Sequence, residues 1–413
     1  MGATADPRFI VAQIGARMHY AVPHIFHEAG ILERLYTDSY VGNKPWLQLA
    51  LGVMPALLRS GGASRLLDRK EERIPPAKVT SFDAFGLQYA RAQRRAQGTA
   101  QLTRVYADFA RRFCERIVGR CPDADAVWAF NGAALELFRW AKERGIRCVL
   151  EQTSAPKRLA RHLVAEELER WPGWQPGLRL PPEPNPLAER EEEEWALADR
   201  IVAGSPFVTD GIRQCGGPAH KCALVPYGVD TRRFAPAAPS VDQHSVRRLR
   251  VLFAGAVGLW KGVPYLLEAL RQLGPDEVEA RFAGKVALAP EKLTPYRDVA
   301  TFLGPVPRWQ MPALYRWADV LVMPSLSEGG PLVVYEALAA GLYVIATANA
   351  GAVLSGASAF GEIVPIRDPR AIGDALRRRR EPEPDAERPC GSPPRVSLED
   401  YRDRLLHATR GLA

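Results

Sequence analysis

Between residues 250 and 348 the sequence repeats one pattern: a short apolar run, a polar turn, then a stretch of helical periodicity. RVLFAG (250–255), EARFAG (279–284), DVATFLG (298–304), DVLVMPS (319–325) and YVIATA (343–348) read as strands. VPYLLEALRQLG (263–274), MPALYRWA (311–318) and PLVVYEALAAG (331–341) read as the helices between them. Strands that alternate with helices of this length join by crossovers rather than hairpins. Such a chain makes a parallel sheet with helices on both faces. The same rhythm runs more loosely through the first half. There RFIVAQI (8–14), AVWAF (126–130), RCVLEQT (147–153) and RIVAGS (200–205) are strands, and MHYAVPHIFHEAG (18–30) and LELFRWAKERG (135–145) are helices. APAAPSVDQHS (235–245) has no period and reads as a linker. The expectation is an α/β chain of two doubly wound domains, residues 1–236 and 246–390. A last helix over SLEDYRDRLLHATR (397–410) would be capped by Ser397 with Asp400. The polar, Pro- or Glu-rich stretches 60–75 and 170–194 read as surface excursions.

A chain of 413 residues that is 47% hydrophobic can bury a large core without staples. Its six cysteines show no C-x-x-C or zinc-type spacing, so reduced thiols in a cytoplasmic protein are expected. No stretch approaches the ~20 apolar residues of a spanning helix. WLQLALGVMPALL (46–58) is short and contains Pro55; it suits a helix lying on a membrane surface, and equally a core or cleft wall. The net charge of +8 favours anionic partners such as nucleotides or acidic lipids. That charge is spread along the chain without aromatic–basic interleaving, so nucleic acid is not expected. No metal is expected either. His19, His24 and His27 lack a carboxylate or cysteine at regular spacing, and DAD (123–125) sits before its strand, at the end away from any crevice.

The stretch MPSLSEGGPLVVYEALAAG (323–341) carries the chemistry. Glu328, Gly329 and Gly330 form a loop at the carboxyl end of a strand. Pro331 stands where the first helical residue belongs, and Gly341 where the helix stops. Open α/β sheets bind ligands at such loops, where exposed N–H groups and the helix dipole attract phosphate. Glycines there let a ligand approach the backbone. Glu336 is a charge in the middle of an apolar helix, and a carboxylate there suits the two hydroxyls of a ribose. An arginine of the same domain is the other partner Glu336 could have, and Glu328 could be a plain surface residue. Lys261 follows a strand and a glycine turn, Gly255 to Gly258, where a cation would face a leaving diphosphate; an ordinary exposed lysine is the alternative. Gly15 follows the first strand and fits either a tight turn or a loop facing a ligand.

These residues make the chain similar to glycosyltransferase family 4, retaining enzymes of the GT-B architecture, two Rossmann-like domains facing each other across a cleft. The resemblance rests on PSLSEGGPLVVYEALAAG, with two glutamates separated by seven residues. FAGAVGLWKGVPYLLEAL (253–270), FLGPVPRWQMPALYRWAD (302–319), VPYGVDTRRFAP (225–236) and EWALADRIVAGS (194–205) extend it over most of residues 194–370. It implies a nucleoside-diphosphate sugar as donor, with no other cofactor, and transfer of a hexose-type sugar with retention to a lipid, polysaccharide or small-molecule acceptor. Glu336 would hold the ribose and Glu328 the transferred sugar. Lys261 would face the diphosphate, assisted by the backbone at Gly329, Gly330, Leu332 and Gly255, while the backbone near Leu303 would read the base. Gly15 would approach the donor from the first domain. Arg17, His19 and Asn131 would lie on the acceptor side, and the segment 397–413 would pack back on the first domain. The chain departs from the family in Ala256, where an arginine is usual, and in Asn131, where a histidine is frequent. Lys285 is placed to replace the lost charge. Two other readings remain open: an epimerase or phosphorylase-like enzyme, and a non-catalytic nucleotide-sugar-binding protein.

Overall fold

The structure is a computed structural model that describes residues 7–44, 69–234, 248–350, 354, 359–380 and 395–410. The first sheet has seven strands: β1 (Phe9–Gln13), β2 (Leu32–Thr37), β3 (Val79–Ser81), β4 (Ala126–Phe130), β5 (Arg147–Gln152), β6 (Arg200–Ala203) and β7 (Cys222–Leu224). Their order is β3-β2-β1-β4-β5-β6-β7. The second sheet has six: β8 (Leu249–Ala254), β9 (Val278–Ala283), β10 (Ala300–Gly304), β11 (Val320–Met323), β12 (Tyr343–Thr347) and β13 (Gly361–Val364), in the order β10-β9-β8-β11-β12-β13. Adjacent strands are parallel in both sheets. Each sheet therefore reverses its winding once, between β1 and β4 and between β8 and β11. The strands beside these reversals are mostly apolar because helices cover both faces; β1, β4 and β11 are buried along their whole length. The linker 235–245 and the apolar stretch 46–58 lie outside the described residues. No helix among those described is long and apolar enough to cross a membrane.

Two expectations need correction. The first helix begins at Ala21, not Met18, because Met18, His19 and Tyr20 all take left-handed backbone angles. The second concerns 170–194, where the glutamate run belongs to a helix, Pro186–Leu197, with Arg190, Glu191 and Glu194 buried. These carboxylates answer backbone groups that water would otherwise have to satisfy. Glu194 accepts from the N–H groups of Gly132 at 2.6 Å, Ala134 at 2.9 Å and Leu135 at 3.2 Å, at the start of helix Leu135–Lys142. Glu191 accepts from Lys157 N at 2.7 Å, at the start of helix Lys157–Arg170. The amino end of a helix offers unpaired donors and a positive partial charge, so a buried carboxylate there has a partner.

The helix Leu398–Thr409 starts with the reciprocal Ser397–Asp400 cap. It lies against elements of the first sheet. The Arg404 guanidinium donates to the carbonyls of Pro226 and Tyr227, both at 3.2 Å, and Arg200 of β6 donates to the carbonyl of Arg410 at 3.2 Å. The ring of Tyr401 meets that of Tyr227 at 5.9 Å.

Beneath these rings lies Glu151 of β5, wholly buried. The Trp128 indole donates to its Oε2 at 3.0 Å, and its Oε1 has no hydrogen-bond partner. Burial pushes its carboxyl from 4.5 to about 7, against the opposing pull of Trp128 and Arg17. The fold thus favours the protonated acid. Its contribution to stability is complete below about pH 4.5 and is lost as pH rises through about 7. Replacing Glu151 by Gln, neutral at every pH, should remove a decline on the order of 3 kcal/mol between pH 5 and 8. Urea unfolding of both proteins across that range checks this; parallel profiles would contradict it.

Candidate active site

The second sheet's reversal point gathers three loops. The one after β11 runs from Pro324 to Pro331 and is tied through both backbone groups of Leu326. Leu326 N donates to the Trp260 carbonyl at 2.9 Å, and Asn349 Nδ2 donates to the Leu326 carbonyl at 2.7 Å. Pro331 is extended (φ −72°, ψ 111°) and caps the helix Leu332–Ala339, so the helix starts one residue later than its proline suggests. The helix ends at Ala340, followed by Gly341 at φ 78°. The loop after β8 contains Gly255 (φ 146°) and the turn Leu259–Lys261. The loop after β9 brings Gly284 against the Gly255 carbonyl, where any side chain would collide. Lys285, next in line, is exposed.

Lys261 and Glu328 meet here as an ion pair, their side chains 16% and 13% exposed. Their positions follow from Gly262, whose left-handed backbone (φ 66°) passes so close to the Pro324 carbonyl that a Cβ would overlap it. Glu336, five residues into its helix, is buried and accepts from the Tyr315 hydroxyl at 2.7 Å. Burial raises its pKa, while the Tyr315 bond and the positive charges of Arg308 and Arg233 oppose the rise. Leu303, one residue before the end of β10, is exposed, at 39%.

The first domain supplies the opposite wall. The loop glycines make this approach possible: a Cβ on Gly329 would strike the Thr153 carbonyl, and one on Gly330 would sit 2.8 Å from the Tyr227 ring. The close neighbour that these glycines admit is thus the first domain's own chain. Asn131 organises that neighbour. Its Oδ1 accepts from Thr153 N at 3.1 Å and Thr153 Oγ1 at 3.0 Å, and its Nδ2 donates to Glu191 at 2.9 Å. Gly15 (φ 81°) donates to Asp38 at 2.8 Å, which Arg69 holds at 2.6 Å. The next turn stores strain, since Met18 (φ 47°), His19 (φ 51°) and Tyr20 (φ 62°) occupy a region side chains avoid. Arg17 and His19 are exposed.

A cleft of about 560 Å³ lies between the domains. His19 and Leu332 face it from opposite sides, whereas Lys261, Glu328 and Glu336 are not among its lining residues. The cleft also holds residues to which sequence reasoning gave no role: Asp230 with Arg232 and Arg233 from the crossover, Arg308, and Arg402 of the last helix. For Asp230, Arg232, Arg233 and Arg308 the available signal was their place in VPYGVDTRRFAP and FLGPVPRWQ, two stretches outside the glutamate loop; Arg402 lies in the last helix. His24 at the rim pairs with Glu28 at 2.8 Å.

Residues 248–380 match the family model described as Glycosyl transferases group 1. They form the sheet and loops that hold Lys261, Glu328 and Glu336. The chain has the GT-B fold, and its second domain carries the pattern of the Glycosyl transferases group 1. It is 33% identical over 219 residues to the D-inositol 3-phosphate glycosyltransferase of Xylanimonas cellulosilytica, covering 47% of this chain and 52% of that protein. The protein of the same name from Paenarthrobacter aurescens is 32% identical over 272 residues, covering 60% and 61%. The chain thus spans about half to three-fifths of the length of these curated relatives. Among solved structures, sucrose-phosphate synthase from Thermosynechococcus elongatus superposes with a TM-score of 0.59 at 17% identity, over 97% of this chain and 94% of that one. Anabaena HepE, solved with UDP-glucose, gives 0.52 at 16% identity, over 98% and 95%. Both likenesses extend the GT-B fold across the first domain as well.

The Gly262 geometry gives a direct test of how the site is built. Gly262→Ala combines a left-handed backbone with a collision against Pro324, and should cost about 2 kcal/mol or more. Urea unfolding measures this. A loss below about 0.5 kcal/mol would mean that the two loops are not held together as described.

Proposed function

We propose that this chain is a retaining glycosyltransferase that holds a nucleoside-diphosphate hexose in the crevice of its second domain. The acceptor hydroxyl would enter from the first-domain side of the cleft. The observation that carries this reading is the ion pair of Lys261 with Glu328, which stands in the loop leading into helix Leu332–Ala339, at the reversal between β8 and β11. A diphosphate would compete with Glu328 for the Lys261 ammonium and add the first-turn N–H groups of the helix. Glu328, released from Lys261, would then accept from hydroxyls of the sugar. Glu336, fixed by Tyr315, would accept from the ribose hydroxyls. Lys261 would stabilise negative charge that develops on the departing phosphate, a role worth most in a site that excludes water. A leaving phosphate oxygen that also takes the acceptor's proton would deliver the sugar to the face it left, which is retention.

The relatives' names support sugar transfer as the reaction class, and HepE's complex with UDP-glucose supports a nucleotide sugar as the donor. On this reading Ala256 leaves Lys261 as the principal cation, so its removal should be severe. Lys261→Ala should lower kcat about 100-fold. Glu336→Ala, which removes a charge-assisted acceptor contributing about 1.5–3 kcal/mol, should weaken nucleoside-diphosphate binding at least 10-fold. Donor-hydrolysis and acceptor-transfer assays, with titration calorimetry over uridine, guanosine and adenosine diphosphates, check both. Unchanged binding in Glu336→Ala together with unchanged turnover in Lys261→Ala would contradict the proposal.

A further inference from the structure

A strap from the first domain reaches across to the second. It consists of helix Lys157–Arg170 and the turn that follows it, WPGWQPGL (171–178). Its docking is polar where it is deepest. Glu167 is fully buried and accepts from the Tyr265 hydroxyl at 2.8 Å and from Arg367 Nε at 2.6 Å, both groups of the second domain. Arg367 also reaches Glu166, and holds a left-handed backbone (φ 62°) while doing so. Beyond the helix, Trp171 packs edge-on against Tyr265 at 5.4 Å, and Trp174 lies 6.3 Å from Tyr296. The Trp174 carbonyl accepts from Ala289 N at 2.8 Å. These contacts bring Gln175, itself buried, to the turn that carries Lys261. Its Oε1 accepts from Leu259 N at 2.9 Å, and a Cβ on Gly258 would approach that oxygen to 3.0 Å.

The turn is therefore gripped from two directions. The loop after β11 holds it through Leu326 N on the Trp260 carbonyl, and the first domain holds it through Gln175 on Leu259 N. Lys261 has four rotatable carbons between backbone and charge, so its ammonium is aimed only if the backbone beneath it is fixed. We propose that Gln175 is a positioning residue for Lys261: the strap aims the phosphate-facing ammonium of one domain with a side chain of the other. The arrangement makes diphosphate binding depend on the docking of the two domains. This inference rests on the donor reading of the crevice.

The test is calorimetry on the full chain, using a nucleoside diphosphate that the wild type binds and the matching monophosphate. Gln175→Leu removes the acceptor and should weaken diphosphate binding about 10-fold while monophosphate binding changes less than twofold. Gln175→Glu keeps an acceptor oxygen at that place and should restore the diphosphate preference to within about threefold of wild type. A Gln175→Leu protein with the wild-type ratio of the two affinities overturns the inference. Equal losses for both nucleotides, or a Glu variant as weak as the Leu variant, also overturn it, since general damage to the fold would do the same. Failure of the wild type to bind any of the uridine, guanosine or adenosine diphosphates is a different result. It overturns the donor reading, and the role of Gln175 with it.

Discussion

The ion pair between Lys261 and Glu328 exists because two loops that leave the same sheet in opposite directions come together at their tips. Loop β8 leads to a helix on one face and loop β11 to a helix on the other, so a crevice opens between them at the carboxyl edge. Gly262 lets the first loop run hard against the carbonyl of Pro324 in the second. With both backbones so placed, a lysine and a glutamate that are far apart in the chain are largely withdrawn from water and answer each other. Burying either charge alone would be costly. On the proposed donor reading, an anionic, hydroxyl-rich ligand would replace each partner of this pair.

Buried carboxylates recur through the first domain, and each has its own compensation. Glu194 and Glu191 receive backbone N–H groups at helix starts, Glu167 receives Tyr265 and Arg367, and Glu151 has only the Trp128 indole for one oxygen. The first three tie elements together, and complete burial raises the Glu151 and Glu194 carboxyls alike from 4.5 to about 7, in Glu194 against Arg190 and its backbone partners. Asn131 joins this network instead of standing free. Through Thr153 it shapes the surface against which Gly329 lies. A buried polar network of this kind fixes the first domain's face of the cleft to within the reach of hydrogen bonds.

Much of the fold was legible because a parallel strand covered on both faces is an apolar run with no alternation. AVWAF, written for β4, occupies the observed strand Ala126–Phe130. The short edge strands β3 and β7 and the alternating, charged β2 lack that signature and were not read from sequence. The glutamates up to Glu194 fall in a stretch that reads as a surface excursion, since composition alone cannot tell a glutamate facing water from one facing a helix start. Within the site, the glutamate spacing and the glycine loop were visible because they are local. The strap at 157–178, the Tyr315 hydroxyl on Glu336 and the arginines of the crossover were not, because each meets its partner only through the tertiary fold.

On the proposed function, the crevice between β8 and β11 receives a nucleoside diphosphate carrying a sugar. A crystal structure grown with such a nucleotide tests it most directly. Ribose hydroxyls are expected within hydrogen-bond distance of Glu336, and the diphosphate on Lys261 and the first-turn N–H groups at Leu332, with the Lys261–Glu328 pair parted. Nucleotide bound elsewhere, with that pair still closed, would contradict it.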